Sequence, residues 1–135
     1  MFSQIYKHDP FTTDFGQMVY FSDEGFKIAE DSINQYWIGK CFSDMEEKSN
    51  DKDFIFSESF KKNITNFNII NSGLIAGSID GMIEYCLLMC RMENETDFRL
   101  FAIYDQGFHN IVVHSGLLKG KTNYTIEKPD SDLFS

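Results

Sequence analysis

The chain has few basic residues, and this shortage excludes two classes of partner. It contains 12 lysine and arginine residues against 21 aspartate and glutamate residues in 135 positions, which gives a formal net charge of −9. A charge of this sign repels nucleic-acid phosphates and anionic membrane surfaces. We therefore expect neither nucleic acid nor a membrane among its partners.

Long apolar segments are also missing. No apolar run approaches the ~18 residues that a membrane-spanning helix requires. The first residues, MFSQIYKHDPFTTDF, lack the apolar core behind a basic start that marks a signal peptide. The sequence therefore predicts a cytoplasmic protein.

Cysteine is scarce and unpaired. Cys41, Cys86 and Cys90 are an odd number of residues without a CxxC pair, so neither a disulfide framework nor a zinc site has enough partners. Leucine and methionine occupy 87–89, which favours buried positions for the two cysteines beside them. We expect all three to be reduced thiols packed as small hydrophobic groups, and we expect no metal and no cofactor.

Motifs for binding phosphate or calcium are absent as well. The glycines of SGLIAGSIDG are not followed by Lys-Ser or Lys-Thr, and no GxGxxG fingerprint occurs. The acidic stretch SDMEEKSNDKD at 43–53 lacks the glycine and the closing glutamate of an EF-hand loop. This stretch is therefore not predicted to be a metal loop.

The three histidines do not form a recognisable catalytic set. His109 and His114 are five positions apart in a predicted strand, which places them on opposite faces. An orienting pair of Asp105 and His109 across a turn stays open, yet no serine or cysteine lies in a nucleophile context. We interpret His8, His109 and His114 as surface or strand-end residues, and we predict no catalytic residue.

Apolar and aromatic residues are abundant, and they predict a folded chain. Hydrophobic residues make up 42% of the sequence and aromatic residues 16%, with 14 phenylalanines. A chain of this length can bury a self-sufficient core. We predict one domain over 1–128 and a flexible C-terminal tail over 129–135.

The strongest periodic signal predicts one main amphipathic helix. A short strand at 17–21 precedes Ser22, Asp23 and Glu24, which are typical of a helix start. Apolar residues then recur every three or four positions, and we place them on one buried stripe. They are Phe26, Ala29, Ile33, Trp37, Cys41 and Met45.

The rest of the chain predicts mostly strands. The runs 83–92, 98–104 and 108–114 are apolar and separated by turn residues, which indicates a C-terminal three-strand antiparallel meander. The first run could instead be a buried helix. A strand or a turn of helix is expected at 69–76, and an edge strand at 124–126. The predicted fold class is α+β, with the main helix packed on an antiparallel sheet.

Acidic residues concentrate on the exposed side of the predicted helix and in the loop after it. Such a surface can steer association with a basic protein, and an exposed aromatic side chain can anchor the complex. A purely solvating role remains the alternative. The candidate partner-binding residues are Glu30, Asp31, Tyr36, Trp37, Asp44, Glu46, Glu47, Asp51 and Asp53.

The aromatic helix SINQYWIGKCF and the segment FRLFAIYDQGFHNIVV, together with the acidity and size of the chain, resemble the small cytosolic immunity proteins of bacterial contact-dependent growth inhibition systems. The resemblance implies a tight one-to-one complex with a cognate toxin domain, without catalysis or a cofactor. It transfers no specific functional residue.

Three other classes stay open. A phage-type inhibitor that mimics nucleic acid would space its carboxylates like phosphates along one face. A small enzyme would need a convergent pocket of histidine and carboxylate groups that the sequence does not reveal. A structural interaction domain would expose an apolar rather than an acidic patch.

Overall fold

Within the described residues, the fold consists of four helices and a three-stranded mixed sheet, which confirms the α+β class. The structure is a computed structural model and describes residues 18–49, 52–94 and 104–130. The elements in chain order are β1 (Met18–Lys27), α1 (Ser32–Lys48), α2 (Glu58–Asn63), β2 (Asn68–Gly77), α3 (Ile79–Asn94), α4 (Asp105–Ser115) and β3 (Asn123–Glu127). Short 3-10 turns at Ile28–Glu30, Lys52–Phe54 and Ile64–Asn66 connect some of them.

The sheet has β1 in its centre, with β2 and β3 on either side. β2 runs antiparallel to β1, whereas β3 runs parallel to it. Of the strand or turn of helix expected at 69–76, the structure has the strand, and the edge strand at 124–126 is confirmed. The sheet is mixed rather than antiparallel. Val19 and Phe21 of β1 are fully buried, so the central strand supplies part of the core.

β1 continues through the residues that we expected to open a helix. Ser22 pairs with Asn71 of β2, and the ladder shifts register between Asp23 and Lys27. The Asp23 carboxylate accepts hydrogen bonds from the Gly25 N–H at 2.6 Å and from the Asn68 amide at 2.9 Å. Gly25 has a φ of +84°, which suits this turn-like bulge. The helix start at Ser22 was therefore wrong, because strand pairing and the bulge engage this segment.

The helix α1 begins ten residues later than predicted, and its buried face differs. The Asp31 carboxylate caps it by accepting from the backbone N–H of Ile33 and Asn34. Its buried apolar residues are Ile38, Cys41, Phe42 and Met45. The predicted stripe advanced mostly in steps of four residues, and each such step turns about 40° past a full helical turn. Cys41 and Met45 are confirmed as core, whereas the start of the stripe rotates into solvent.

Two of the three predicted meander strands are helices. The run 83–92 lies in α3, which is the alternative that the sequence left open, and 108–114 lies in α4. The middle run, 98–104, falls outside the described residues except for Tyr104. Within the described ranges, no helix is long and apolar enough to cross a membrane.

α4 was mistaken for a strand because it is buried on almost every side. All seven residues from Gly107 to Val113 are buried, and the helix packs against α1, α3 and β2. A helix that is enclosed all round shows a continuous apolar run rather than an amphipathic period. Central position in the core, rather than intrinsic preference, therefore explains the β-like sequence of this helix.

Close approach of α1 and α4 depends on Gly107. A Cβ atom at this position would lie 2.9 Å from the Cys41 sulfur and 3.1 Å from the backbone carbonyl oxygen of Trp37. Real Cβ atoms essentially never come as close as the first distance, and the second is tighter than most of their contacts. The missing side chain therefore lets the buried helix α4 rest directly on α1.

One face of α4 carries polar side chains that bond to the backbone of β2. The Ile70 N–H donates to Asn110 Oδ1 at 2.8 Å, and Asn110 Nδ2 donates back to the Ile70 carbonyl at 3.2 Å. The Ser72 N–H donates to Gln106 Oε1 at 2.9 Å, and Gln106 Nε2 donates to the Ile70 carbonyl at 2.7 Å. His114 Nε2 donates to the Asn68 carbonyl at 2.8 Å. We call these contacts the α4–β2 polar seam.

The spacing of the polar seam follows from helix and strand geometry. Its helix residues are four positions apart, a rise of about 6 Å, and its strand residues are two apart, about 6.6 Å. These distances match closely enough for Gln106, Asn110 and His114 to reach successive positions on the strand. The side of β2 that faces away from β1 thus finds hydrogen-bond partners on a helix.

Replacing Asn110 by leucine should destabilise the fold. The variant keeps the number and branching of the side-chain heavy atoms but leaves the buried Ile70 N–H without its Asn110 acceptor, and such an orphaned group costs about 1–3 kcal/mol. We expect the free energy of unfolding to fall by about 2–3 kcal/mol in urea titrations followed by circular dichroism. Gln35→Leu, which removes an exposed amide, is the control and should cost less than about 1 kcal/mol. Equal losses would contradict a special role for the seam.

Candidate functional site

The predicted partner-binding residues lie in two separate regions. Glu30, Asp31, Tyr36 and Trp37 lie where the first 3-10 turn meets the start of α1, whereas Asp44, Glu46 and Glu47 lie near its C-terminal end. Asp51 falls outside the described residues, and so does the side chain of Asp53. The continuous surface that the sequence predicted is therefore divided into two regions.

Lysines partly neutralise the second region. Asp44, which we expected on the exposed side, is buried and pairs with Lys48 at 3.3 Å. Lys61 from α2 bonds to both Glu46 and Glu58. Glu47 is exposed. Two of the three carboxylates of this region, those of Asp44 and Glu46, are thus paired with lysines of the same chain.

The first region keeps its carboxylates at the surface. Glu24 and Glu30 are exposed. The pKa of Glu24 is raised, chiefly by partial burial and then by the nearby charges of Asp31 and Asp23. The pKa of Asp31 is lowered, because its carboxylate accepts hydrogen bonds from the Asn34 side chain and from the backbone at the start of α1. Several carboxylates therefore converge where β1 ends and α1 begins.

Large apolar side chains stand exposed in the same segment. The exposed fractions are 61% for Phe26, 57% for Ile33 and 55% for Tyr36. Ile33 and Tyr36 are three residues apart and share a face of α1. The Tyr36 ring meets Tyr104 edge-on at 6.1 Å between ring centroids, with Lys40 5.8 Å from its centre. Tyr36 is therefore an exposed and oriented aromatic group, whereas Trp37 is only half-exposed.

We define the acidic-aromatic surface by the residues of this segment that expose a carboxylate or a large apolar side chain, together with the cap of α1. Phe26 and Ile33 were assigned to the core by the sequence, and Glu24 to a helix start. The Asp-x-Gly pattern at 23–25 signals a turn, and it could have revealed that the segment is exposed. The surface comprises Glu24, Phe26, Glu30, Asp31, Ile33 and Tyr36.

His109 lies in the core rather than at the surface, which corrects its predicted position. It is fully buried in α4, and its Nδ1 lies 2.6 Å from the Tyr85 hydroxyl. Its Nε2 has no hydrogen-bond partner among the described residues. Burial lowers the pKa of His109 to about 3, with a smaller contribution from His114. The imidazole is therefore neutral at physiological pH, and no catalytic access to it is visible.

His114 lines a cavity of about 510 Å³ beside β1, β3 and the end of α4. Its Nε2 belongs to the polar seam, and its ring stacks on Phe67 at 4.8 Å. Burial lowers its pKa. Asp23, which also lines the cavity, bonds to Gly25 and Asn68. These polar groups bond to other parts of the chain, and this structural role is sufficient to explain why they lie close together. His8 falls outside the described residues.

The cysteines divide between core and surface. Cys41 is buried as predicted, and burial raises its pKa. Cys86 and Cys90 are exposed on α3, so their predicted burial was wrong. The apolar residues around them are typical of a protein core, yet α3 buries the helix face opposite to these two cysteines. Across the described residues, no group of three or more His, Cys, Asp or Glu side chains could hold a metal ion.

Comparison of the chain with protein-family models, with curated proteins and with solved structures finds no match. No relative therefore supplies a function for the acidic-aromatic surface.

The buried His109 should make stability depend on pH. Its pKa is lower in the folded state than the usual 6.5, so the unfolded chain binds the proton more readily. Stability is complete above about pH 6.5 and falls as the pH decreases toward 3. Between pH 6.5 and 5, this histidine should remove about 2 kcal/mol from the free energy of unfolding.

His109→Gln provides the comparison, because a neutral amide cannot titrate in this range. In urea titrations at pH 6.5, 6 and 5, the free energy of unfolding of the variant should depend less on pH, by the contribution of roughly one proton. The comparison concerns this slope and not the absolute stability of the variant. His114, whose pKa is also lowered, contributes equally to both proteins. An unchanged slope in the variant would show that His109 does not titrate as described.

Proposed function

We propose that the protein is an acidic binding protein that engages a basic protein partner through the acidic-aromatic surface. The observation that carries the proposal is the exposure of Phe26, Ile33 and Tyr36 beside several carboxylates. Energetic anchors of interfaces are typically aromatic and surrounded by polar groups. A surface of this kind suits a partner that has apolar pockets flanked by lysine or arginine.

Electrostatics supports the choice of a basic partner. The chain carries a net charge of −9. Partial burial raises the pKa of Glu24 most, and the nearby charges of Asp31 and Asp23 raise it further. A partner's cations would relieve the repulsion between these charges and accelerate the encounter. The first region fits this role better than the second, because Lys48 and Lys61 already bond to carboxylates there.

The specific biological form that we favour is an immunity protein that neutralises a cognate toxin domain. Toxins that act on nucleic acids are basic where they bind substrate, so an acidic inhibitor complements them. A compact patch with an aromatic anchor supports this form. A mimic of nucleic acid would require an uninterrupted row of carboxylates, which the lysines near the end of α1 interrupt. In either form the protein acts in the cytoplasm and without a cofactor.

Charge reversal tests the proposed surface. We expect Glu24→Lys/Glu30→Lys to slow association with a basic partner by about tenfold at low salt, because both carboxylates steer the encounter. Asp31 is excluded, since it caps α1. The probe is the purified product of the adjacent gene, if it carries a variable toxin domain, and stopped-flow fluorescence at about 50 mM and 500 mM NaCl measures the rate.

The matched control is Glu47→Lys/Asp80→Lys, which changes the net charge equally at exposed positions near the end of α1 and on α3. It should slow association less than about threefold. Equal slowing by both double variants would mean that only net charge matters. Association that does not respond to salt would contradict electrostatic steering altogether.

Truncating Tyr36 should accelerate dissociation instead. Tyr36→Ala removes an exposed aromatic anchor, so we expect the dissociation rate to rise by about tenfold or more, with little change in association. Leu74→Ala removes an exposed apolar side chain on β2 and should leave both rates unchanged. Surface plasmon resonance with the same probe measures both, and a Tyr36→Ala complex as long-lived as the parent complex would remove Tyr36 from the interface.

A further inference from the structure

An apolar groove lies on the outer side of α3. It has a volume of about 420 Å³ and is lined by residues between Gly77 and Cys90. Ile79 at its N-terminal end is 80% exposed, and Ile83 and Leu87 are 50% and 57% exposed. Folded proteins seldom leave a contiguous apolar face of this kind in water, so an occupant is expected.

The groove is the second of two apolar faces of α3. Tyr85, Leu88 and Met92 are buried on the side that meets the core. The groove residues at 79, 83, 86, 87 and 90 repeat at helical spacing on the other side. The described part of the chain buries the first face and leaves the second exposed.

The described part of the chain begins at one end of this groove. The Met18 carbonyl accepts a hydrogen bond from the Ser78 N–H at 2.9 Å, and the Met18 N–H donates to Ser78 Oγ at 3.2 Å. A Cβ atom on Gly77, which lines the groove, would lie only 2.7 Å from the Met18 carbonyl oxygen. Because β1 runs antiparallel to β2, with Val19 opposite Gly77, the chain before Met18 continues past the end of β2 toward the start of α3. Residues 1–17 therefore join the described structure beside the groove.

The sequence before Met18 carries aromatic residues within reach of the groove. Phe11 and Phe15 are four positions apart, which puts both side chains on one face of either an extended or a helical segment. A chain spans at most about 3.5 Å per residue, so Phe15 can lie up to about 10 Å from Met18 and Phe11 up to about 25 Å. The groove follows α3 for about 20 Å. Both rings can therefore reach it.

We infer that residues 11–15 of the chain itself cover this groove, with Phe15 in its N-terminal half and Phe11 in its C-terminal half, beside Cys90. The covalent tether favours this occupant over a separate partner. Only two residues separate Phe15 from β1, and a segment held by so short a linker has an effective concentration in the millimolar range. Docking also removes two phenylalanine rings and the groove from water together.

Thiol reactivity of the full chain tests this contact, because Cys86 and Cys90 both line the groove. A docked segment shields these thiols from reagent, and they react only when it opens locally. We expect Phe11→Ser/Phe15→Ser to raise the rate at which both thiols react with dithiobis(nitrobenzoate) by at least about tenfold, because the two rings that hold the segment are lost. A variant whose thiols react no faster than those of the parent would overturn the inference.

The matched control is Ile55→Ser/Leu74→Ser, which removes two exposed apolar side chains outside the groove and should leave the rate unchanged. Cys41 is buried, so its reaction reports unfolding of the whole chain rather than release of the segment. The inference is independent of the proposed function, because it concerns another surface, and Glu24→Lys/Glu30→Lys should also leave the rate unchanged.

Nuclear Overhauser effects in the parent chain provide a measurement that requires no variant. We expect contacts between ring protons of Phe11 or Phe15 and the methyl groups of Ile83 and Leu87, since packed side chains approach within about 4.5 Å. Isotope-filtered spectra of mixed labelled and unlabelled chains separate contacts within one chain from contacts between copies. Groove contacts made only between copies, or made by residues 95–103 instead, would overturn the inference.

Discussion

The α4–β2 polar seam is the constraint on which the rest of the structure depends. β2 lies at one edge of the described sheet, and its outward N–H and C=O groups at Ile70 and Ser72 would be orphaned in the core. Asn110 and Gln106 satisfy them from a helix that is otherwise enclosed by apolar side chains. Because a buried backbone group without a partner is costly, the register of helix against strand is tightly specified.

This constraint also explains the histidines. His114 is the last member of the seam, and its ring packs on Phe67. His109 lies one position before Asn110 and therefore points toward α3, where Tyr85 meets it. Both imidazoles thus occupy their places because α4 is clamped to β2. Their depressed pKa values follow from burial, which is a sufficient explanation without any catalytic role.

With α4 in the centre, α1 and α3 each keep one face at the surface. α1 rests on α4 through Gly107 and turns Ile33 and Tyr36 outward beside the carboxylates at the end of β1. α3 uses Tyr85, Leu88 and Met92 for the core and leaves its opposite apolar face outside. The exposed face of α1 thus combines aromatic and acidic groups, whereas that of α3 is apolar.

The sequence by itself determined the α+β class, the acidity, the absence of recognisable metal and phosphate motifs, and the edge strand near 124–126. It left a strand or a turn of helix open at 69–76, and it placed Cys41 and Met45 in the core. These features depend on composition or on local pattern. Local pattern was misleading for 108–114, because enclosure on all sides erases the helical period, and for Asp44, because a lysine one turn away permits its burial.

Only the tertiary structure decided which apolar residues lie inside. Phe26 and Ile33 belong to a regular stripe in the sequence, yet both are exposed. Phe26 lies in the extension of β1 past the expected helix start, and Ile33 lies on the outer side of α1. Cys86 and Cys90 sit among leucines, yet the side of α3 that meets Phe21 and His109 is the opposite one. Burial depends on what packs against a face, and that information comes from distant parts of the chain.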